Sequence, residues 1–340
     1  MNKFIIDSIE FNCSEELLTN IDISSNPYNY TVKFMDFIPN FKDNDFLIID
    51  KNIQKIYNIS HHNMMPIDAT ENNKSIETVL KICEWLSNKN FNKGNILYVI
   101  GGGITQDIGA FVGSMYKRGI NWIYVPTTLL SQCDSCIGGK TALNFNQMKN
   151  QLALFSAPRS VIIDTNFLQS LTQKEILSGM GEVVKFFIIA GEPYISLLDN
   201  ISLKEKIFHS LIIKKTIVEY DEFEKNIRKS LNYGHSFGHA IESASNYAIP
   251  HGEAVILGIE IINQLFGKSE QITSIVNKFT SLEKIKNINP DLVMNYLKHD
   301  KKMQLNTISL IVVESPGITK FVPTILDDKL MKKIYEIFIN

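Results

Sequence analysis

The stretch that decides the fold is NILYVIGGGITQDIGAFVGSMYKRGINWIYV, residues 95–125. It begins with an unbroken apolar run at 95–100, which is typical of a strand buried on both faces of a parallel sheet. Three glycines at 101–103 follow, then a helix-like segment at 105–118 and a second apolar run at 120–125. A strand, a crossover helix and another strand predict an α/β domain with a parallel sheet.

The remaining chain divides into two halves of different character. Further strand-like runs lie at 31–37, 45–50, 64–68 and 160–164, with a helical pattern at 74–90. From about Gln173 the pattern becomes mostly helical, at 174–191, 205–231, 253–267 and 291–302, and only 307–313 resembles a strand. We therefore predict an N-terminal α/β domain over residues 1–170 and a mostly α-helical C-terminal domain over 171–340.

Composition excludes several classes of function. The net charge of −2 over 340 residues gives no indication of a nucleic-acid or acidic-membrane partner. Asp7, Glu10, Glu15 and Glu16 interrupt any signal-peptide core, and no apolar run approaches the ~18 residues of a membrane span. We expect a cytoplasmic globular protein.

The four cysteines do not form a disulfide framework. Cys133 and Cys136 fit the C-x-x-C pattern of metal and redox sites, but Cys13 and Cys83 are isolated and cannot complete a zinc ribbon. The pair also leads directly into a Gly-Gly-Lys segment at 138–140 rather than opening a helix after a strand. We favour coincidence over a functional pair.

The glycines at 101–103 offer a place for phosphate. Glycine allows close approach of the backbone, and the N-terminus of the following helix carries N–H groups and partial positive charge. The third glycine of G-x-G-x-x-G is missing, because Gln106 stands there, so a dinucleotide loop and a plain tight turn both remain open. Asp50 at the end of one strand could bind ribose hydroxyls. Thr127 and Thr128 follow the next strand.

A polar stripe follows in the second half. Its residues, spaced 4, 4, 3 and 4 apart, would share one face of a continuous helix: Glu224, Arg228, Asn232, His235 and His239. A solvated surface is the ordinary interpretation. However, Gly234 and Gly238 interrupt the stripe, and an exposed helix avoids glycine at about 1 kcal/mol each. We expect another element to pack closely there.

Spacing alone suggests that His235 and His239 bind a metal together. His251 follows in a segment, 250–253, that has the pattern of a loop and helix start. Glu182 lies three residues before Lys185 on a helical stretch, and its carboxylate could join two histidines in a three-ligand zinc site with an open position.

Taken together, these motifs resemble the 3-dehydroquinate synthase family. The resemblance rests on GGGITQDIGAFVGSMYKRGINWIYVPTTLLSQCDSCIGGKTALN, on GMGEVVKF and on RKSLNYGHSFGHAIE…HGEAV, in order over roughly 65–260, and HDKK at 299–302 extends it. It implies a Rossmann-like NAD-binding α/β domain, a helical metal- and substrate-binding domain, and a homodimer. It also implies a lyase that converts 3-deoxy-arabino-heptulosonate 7-phosphate to 3-dehydroquinate and phosphate, with NAD and Zn²⁺ (or Co²⁺).

The resemblance also implies site residues. The metal ligands would be Glu182, His235 and His251, with His239 facing the substrate's phosphate. The NAD contacts would be Asp50, Glu71, Lys74, Gly101, Gly102, Gly103, Asp107, Thr127, Thr128 and Lys149. The substrate-side residues would be Asp134, Lys140, Asn150, Lys185, Lys214, Glu224, Arg228, Asn232, His239 and Lys301, with Arg118 reaching the partner subunit's site. In this family Cys133 and Cys136 merely flank the functional aspartate.

Two departures and three alternatives remain. Gln106 replaces the family's usual small residue, which bears on the seating of NAD's pyrophosphate, and Met148 stands where glycine is typical. A related cyclase acting on another sugar phosphate is one alternative, although Lys214, Arg228 and Asn232 match the dehydroquinate pattern. An NAD- and metal-dependent alcohol dehydrogenase and a catalytically silent binding protein are the others, and the intact set of ionisable residues disfavours the last.

Overall fold

The chain, in a computed structural model, forms two compact units. One comprises Leu17–Thr172, and the other comprises Met1–Glu16 together with Gln173–Asn340. The structure describes residues 2–14, 16–17, 19–37, 39–146, 148–298, 303–304 and 307–339. Among these residues, no helix has the length and apolar character needed to span a membrane.

The unit Leu17–Thr172 is built on a seven-stranded sheet. Its strands and helices are β3 (Asn20–Ile23), β4 (Tyr30–Phe34), β5 (Phe46–Asp50), α1 (Lys51–Ile56), β6 (Met64–Ile67), α2 (Ile76–Asn88), β7 (Leu97–Gly101), α3 (Gly103–Met115), β8 (Trp122–Pro126), β9 (Lys140–Phe145), β10 (Met148–Phe155) and β11 (Ser160–Ile163). The sheet order is β3-β4-β11-β8-β7-β5-β6, parallel except for the antiparallel pair β3–β4, while β9 and β10 form a separate hairpin.

The buried strands explain the continuous apolar runs in the sequence. Leu47, Ile49, Ile100 and Val125 belong to one core cluster with Phe167. Residues on both faces of a parallel sheet are covered, so these strands do not alternate between apolar and polar residues. Gly101 pairs with Pro126, so the glycine loop after β7 and the threonines after β8 lie at the same edge of the sheet. The predicted α/β domain is confirmed.

The second unit combines helices with a five-stranded sheet. Its elements are β1 (Asn2–Ile6), β2 (Ile9–Cys13), α4 (Gln173–Ala190), α5 (Tyr194–Leu197), α6 (Leu203–Tyr220), α7 (His235–Ala244), α8 (His251–Ile262), α9 (Glu270–Val276), α10 (Pro290–Lys298), β12 (Met303–Gln304), β13 (Thr307–Ser315), β14 (Ile318–Ile325) and α11 (Asp328–Ile339). The strand order is β12-β13-β14-β1-β2. The mostly helical character expected for this half is confirmed.

Three expectations from the sequence differ from the structure. The first sixteen residues belong to the helical unit rather than to the predicted 1–170 domain, because β1 pairs in parallel with β14. The expectation of a single strand in the second half was wrong, since β14 pairs along β13. Its Pro323, which cannot donate a ladder hydrogen bond, conceals the strand pattern.

The third difference concerns the predicted helix at 205–231. The helix α6 ends at Tyr220, and the side chain of Asp221 then accepts hydrogen bonds from the backbone N–H groups of Lys225, Asn226 and Arg228. A short polar side chain that binds nearby backbone N–H groups competes with helix continuation. A 3₁₀ helix, Ile227–Asn232, follows this loop.

Candidate active site

Close packing of two helices brings the candidate metal ligands together. Gly234 has φ of +77°, and a Cβ atom there would lie 2.5 Å from the carbonyl oxygen of Val255 on α8. A Cβ atom at Gly258 would in turn overlap the carbonyl oxygen of Gly234. The expectation that the glycines of the stripe mark a close packing contact is confirmed. His235 and His251, the first residues of α7 and α8, thereby become neighbours.

The third candidate ligand, Glu182, lies on α4, which also packs closely against α8. Cβ atoms at Gly181 or Gly252 would overlap backbone atoms of the opposing helix, so α4 and the start of α8 are in direct backbone contact. This contact places Oε1 of Glu182 3.1 Å from Nε2 of His251 and 3.4 Å from Nε2 of His235. The three ligand atoms lie within 4.8 Å of one another, although 69 residues separate Glu182 from His251.

Hydrogen bonds on the far side of each imidazole ring orient it. Nδ1 of His235 donates to the carbonyl oxygen of Tyr233 at 3.1 Å, and Nδ1 of His251 donates to the carboxylate of Glu242 at 3.1 Å. A proton held on Nδ1 leaves the Nε2 lone pair for a metal ion. Two imidazoles and one carboxylate, each aimed at one point, fit the donor set of a catalytic zinc site.

The charges in this cluster are strongly coupled. Burial alone would raise the pKa of Glu182, but Lys185 and the two histidines hold it well below its usual range. Burial lowers the pKa of His235, whereas Glu182 and Glu242 overcome burial and raise the pKa of His251 to about 10. The cluster therefore presents an ionised carboxylate and a neutral imidazole, and a metal ion would displace a proton from His251.

His239 lies on the open side of this cluster. Its ring is exposed, and its centroid is 5.3 Å from that of His235 and 5.8 Å from that of His251. In the described residues the potential ligand groups are Glu182–His235–His251 and His239–Glu242–His251, so neither joins His235 to His239. The spacing-based pairing of those two histidines therefore has no support in the geometry.

The polar stripe does not lie on one helix. Glu224 has φ of +54°, Arg228 and Asn232 belong to the 3₁₀ helix, and Gly234 separates them from α7. The prediction of a shared helical face was wrong, because the chain turns at Asp221 and again at Gly234. The fold still joins two members of the stripe, since Nδ2 of Asn232 donates to Glu224 at 2.9 Å.

Three candidate substrate cations are buried in this unit. Lys185, Lys214 and Arg228 are 2%, 7% and 1% exposed. Lys185 pairs with Glu182, and Arg228 donates from Nη1 to the carbonyl oxygen of Glu222. Burying positive charge is costly, so cations buried this deeply are candidates for contacts to an anionic ligand. The predicted Lys301, with the rest of 299–302, lies outside the described residues.

The glycine loop in the other unit has room for a ligand. The N-cap of α3 is Gly102, which has no side chain to cap the helix, and a Cβ atom at Gly103 would meet nothing within 4 Å. A Cβ atom at Gly101, in contrast, would overlap Thr105. An uncapped helix N-terminus beneath open space is suited to phosphate. Thr128 binds Ser131 beside it, with 2.8 Å between the hydroxyl oxygens.

A second polar cluster surrounds the first turn of α3. Lys74 pairs with Asp107 at 2.6 Å and donates to Asn150 at 2.8 Å, while Asp107 accepts from the hydroxyl of Thr141 at 2.8 Å. Burial raises the pKa of Asp107 despite the opposing effect of Lys74. The fold thus gathers predicted NAD and substrate residues that are distant in sequence.

The hairpin β9–β10 extends this cluster. Asn144 on β9 donates to the carboxylate of Glu71 at 2.8 Å, and Lys149 lies 3.8 Å from the same carboxylate. Asn150 has φ of +56°. Asn144 and Thr141 were missed by sequence reasoning, because only the hairpin brings them to Glu71 and Asp107.

The remaining predicted residues occupy separate places in this unit. Asp50 caps α1, accepting from the backbone N–H of Asn52 at 2.8 Å. Asp134 lies in a π-helical turn, Ser131–Ser135, and Lys140 is exposed at the start of β9. Arg118 is exposed, with φ of +61°.

The cysteine pair and Met148 have no place in either cluster. Cys133 and Cys136 are buried thiols outside any disulfide bond, and Cys136 donates to the carbonyl oxygen of Gln132 at 3.4 Å. Neither belongs to a potential metal group of the described residues. Met148 is 55% exposed on β10.

Comparison with known proteins identifies the family. The model of the N-terminal part of 3-dehydroquinate synthase matches residues 64–178, and that of the C-terminal part matches residues 179–303. A 3-dehydroquinate synthase of Pelagibacter ubique is 38% identical, covering 80% of this chain and 82% of that protein. The chain belongs to the 3-dehydroquinate synthase family. The resemblance inferred from the sequence is confirmed.

Solved structures show that the fold extends beyond this family. A 2-deoxy-scyllo-inosose synthase complexed with carbaglucose-6-phosphate, NAD⁺ and Co²⁺ has a TM-score of 0.79 and 22% identity, covering 94% of this chain and 99% of that chain. A 2-epi-5-epi-valiolone synthase from Streptomyces hygroscopicus, with NAD⁺ and Zn²⁺ bound, has a TM-score of 0.77 and 21% identity, covering 93% and 97%. At these identities the comparison establishes the fold: an α/β domain and a mostly helical domain, as predicted.

Among the described residues of the helical unit, Glu242 is a residue at the ligand cluster that the sequence motifs did not include. It touches His251 and belongs to the second potential ligand group, yet sequence reasoning missed it. Its position, three residues after His239 and seven after His235, places it on their face of α7. That periodicity was the available indication.

Proposed function

We propose that the chain catalyses the reaction of a 3-dehydroquinate synthase. The substrate would be 3-deoxy-arabino-heptulosonate 7-phosphate, the products 3-dehydroquinate and phosphate, and the enzyme class a carbon–oxygen lyase. The observation that carries the proposal is the convergence of Glu182, His235 and His251 in a chain 38% identical to a named synthase.

The two units would each hold one cofactor. Glu182, His235 and His251 would hold a divalent metal ion, Zn²⁺ or Co²⁺, and the loop at Gly101–Gly103 would seat the pyrophosphate of NAD. Bound NAD supplies a transient oxidation and reduction, and a bound metal lowers the pKa of a substrate hydroxyl. Structures of two cyclases with this fold contain NAD⁺ and Co²⁺ or Zn²⁺, which supports the assignment.

The protein's own residues would bind and orient the sugar-acid phosphate. Lys185, Lys214 and Arg228 are buried cations, and charge-assisted hydrogen bonds from such groups are the strong ones for phosphate and carboxylate. His239, exposed beside the ligand cluster, would donate to the phosphate. In the other unit, Asn150 accepts a hydrogen bond from Lys74, which pairs with Asp107.

The deciding experiment supplies the purified chain with the heptulosonate phosphate, NAD and Zn²⁺. We expect phosphate release with formation of 3-dehydroquinate and no net NADH. Steady accumulation of NADH from a simple alcohol would instead identify a dehydrogenase. Phosphate release from a sugar phosphate without a carboxylate, and none from the heptulosonate, would identify another cyclase.

Two histidine variants test the ligand assignment independently of turnover. His251→Ala should lose bound metal, because it removes one of three ligands. His239→Ala should retain the metal and lose substrate affinity or turnover. Metal content measured on dialysed protein decides between them, and loss of metal in the His239 variant alone would overturn the assignment.

We also propose a homodimer in which Arg118 acts in the partner's site. Arg118→Ala and His251→Ala should each be inactive alone. A dimer of one Arg118→Ala subunit and one His251→Ala subunit contains one intact site. That site combines His251 of the first subunit with Arg118 of the second. Recovery of activity on mixing supports action across the interface, and no recovery in a verified heterodimer contradicts it. A cytoplasmic location stays a prediction.

A further inference from the structure

Gln106 is the residue of the glycine loop that departs from the family pattern, and its side chain has a defined place in the structure. It is 5% exposed, in the first turn of α3. Nε2 of Gln106 donates to the carbonyl oxygen of Ser135 at 2.7 Å, and the hydroxyl of Ser135 donates back to Oε1 at 2.6 Å. The two hydrogen bonds close a ring between the two residues.

The partner residue belongs to the turn that carries Asp134. The π-helical turn Ser131–Ser135 ends at Ser135, and the backbone N–H of Cys136 closes it by donating to the carbonyl of Ser131 at 3.1 Å. A π turn is a rare conformation that is frequently found at functional sites. Gln106 binds the carbonyl and the hydroxyl of the residue next to Asp134.

The following residue of α3 secures the other end of the same segment. The carboxylate of Asp107 accepts from the hydroxyl of Thr141 at 2.8 Å and from the backbone N–H of Ala142 at 3.3 Å. Lys140 therefore lies between two attachments to consecutive residues of one helix, and Asp134 lies directly before the first of them. With a small residue at position 106, only the attachment through Asp107 would remain.

We infer that Gln106 is a positioning residue that fixes the turn bearing Asp134 through its paired hydrogen bonds with Ser135, and is not a contact of the cofactor's pyrophosphate. Asp134's role as a substrate contact rests on the proposed function. The paired bonds themselves do not depend on it, so their loss has a structural readout as well as a kinetic one.

The test compares Gln106→Met, which keeps side-chain length without hydrogen bonds, with Gln106→Ala, Ser135→Ala and the double variant Gln106→Ala/Ser135→Ala. We expect KM for the heptulosonate phosphate to rise, and kcat/KM to fall about tenfold or more, since small displacements of a positioned group carry such costs. The dissociation constant of NAD, measured by calorimetry, should not change. Gln106→Ala removes both bonds, whereas Ser135→Ala removes only the bond from its hydroxyl and keeps the backbone carbonyl as an acceptor. The double variant should therefore lose little more than Gln106→Ala alone.

Two cysteines provide a readout without catalysis. Cys133 and Cys136 flank Asp134 and are buried, so their reaction with a thiol reagent, followed by peptide mass mapping, reports opening of the turn. We expect both to react faster in Gln106→Met than in wild type, while half-buried Cys83 keeps its rate as an internal reference. Gln169→Ala removes the same side chain from an exposed position of this unit and serves as the matched control.

The outcomes separate this inference from the proposed function. Wild-type thiol rates and wild-type KM in Gln106→Met, together with weaker NAD binding, would overturn the inference and place Gln106 in the cofactor pocket. Absence of turnover in the wild-type enzyme would contradict the proposed function instead, and the thiol rates would still decide whether Gln106 holds the turn.

Discussion

Individual side chains of the cluster Glu182–His235–His251 owe their properties to neighbouring residues outside it. Tyr233 and Glu242 accept from the Nδ1 atoms of His235 and His251, so both Nε2 atoms face Glu182. The backbone carbonyl of Tyr233 is neutral, whereas the carboxylate of Glu242 carries a negative charge. The carboxylate raises the basicity of His251, which helps to explain why the pKa of His251 is raised and that of His235 is lowered.

Replacing Glu242 should weaken metal binding without removing a ligand. Glu242→Gln keeps the size of the side chain but removes the charge that orients His251 and increases its basicity. Loss of such a partner typically costs about 10–100-fold in metal affinity. Competition with a chromogenic chelator measures the Zn²⁺ dissociation constant, and Glu175→Gln, on the exposed first turn of α4, is the control. Unchanged affinity in Glu242→Gln would contradict a role for this contact.

The ionised carboxylate of Asp221 should stabilise the folded state only above acid pH. Burial alone would raise its pKa, but backbone N–H groups of Asn226, Lys225 and Arg228 donate to the carboxylate and hold the pKa below its usual value. The folded state therefore binds the proton less readily than the unfolded chain. The contribution is present above the unfolded pKa of about 3.9 and is lost as pH falls through the folded value.

The prediction is that Asp221→Ala lowers the free energy of unfolding near neutral pH and that its difference from wild type shrinks as pH falls below about 4. Urea unfolding at a series of pH values measures it. Asp327→Ala, with one backbone contact at the start of α11, is the comparison. A destabilisation that persists undiminished at acid pH would show that packing, and not the charge, is responsible.

At the scale of elements, contacts between helix backbones decide where the ligands lie. The helices α4, α7 and α8 approach closely where glycines occur in facing positions, and each helix delivers one ligand. A side chain at any of these glycines would separate two ligands that belong to different helices. The packing of these helices therefore determines the distances between the ligands.

Gly258→Ala should destabilise the helical unit and weaken metal binding together. The added methyl group would overlap the carbonyl oxygen of Gly234, and overpacking of this kind costs about 1–3 kcal/mol. Displacing α8 from α7 also separates His251 from His235. Urea unfolding and chelator competition measure the two effects.

Gly103→Ala is the matched control for that substitution, because its methyl group would enter open space. It should leave stability and metal affinity unchanged, while weakening NAD binding if the space above α3 holds the pyrophosphate. Equal loss of stability in both variants would show that the effect is general to glycine replacement and not to this packing contact.

At the scale of the whole molecule, the N-terminal hairpin supports the unit that holds the ligands. The backbone N–H of Ile5 donates to the carbonyl of Gly317 at 2.7 Å, and Gly317 donates to the carbonyl of Ile188 on α4 at 3.0 Å. Phe4 and Ile6 are buried in this unit. The hairpin thus connects through the sheet to the helix that carries Glu182.

Deleting residues 2–13 should destabilise the helical unit selectively. It exposes the edge of β14 and removes buried apolar side chains, while the unit Leu17–Thr172 keeps its own sheet. Limited proteolysis with mass spectrometry should show faster cleavage after Gln173 and persistence of the preceding unit. Lys3→Ala/Glu10→Ala, which removes an exposed ion pair from the same hairpin, is the control. Equal loss of both units would contradict the prediction.

The sequence by itself determined the class of fold, most of the regular elements and the family. Continuous apolar runs such as 95–100 and helical periodicity such as 74–90 are local properties, visible without knowledge of what packs against them. Dispersed polar residues in a fixed order identified the family. Spacing even located the close packing contact at Gly234 and Gly238, because glycine within a helical pattern needs a reason.

Only the tertiary structure decided which neighbours in space matter. His235 and His239 are close in sequence, yet the atoms that converge with His235 belong to Glu182 and His251. The chain turns at Asp221 and Gly234, β1 joins the sheet of the other half, and Gln106 meets Ser135 across 29 residues. A local sequence pattern describes one segment and does not specify which other segments pack against it. Contacts between distant segments depend on how helices and strands pack, and that packing sets the distances on which chemistry depends.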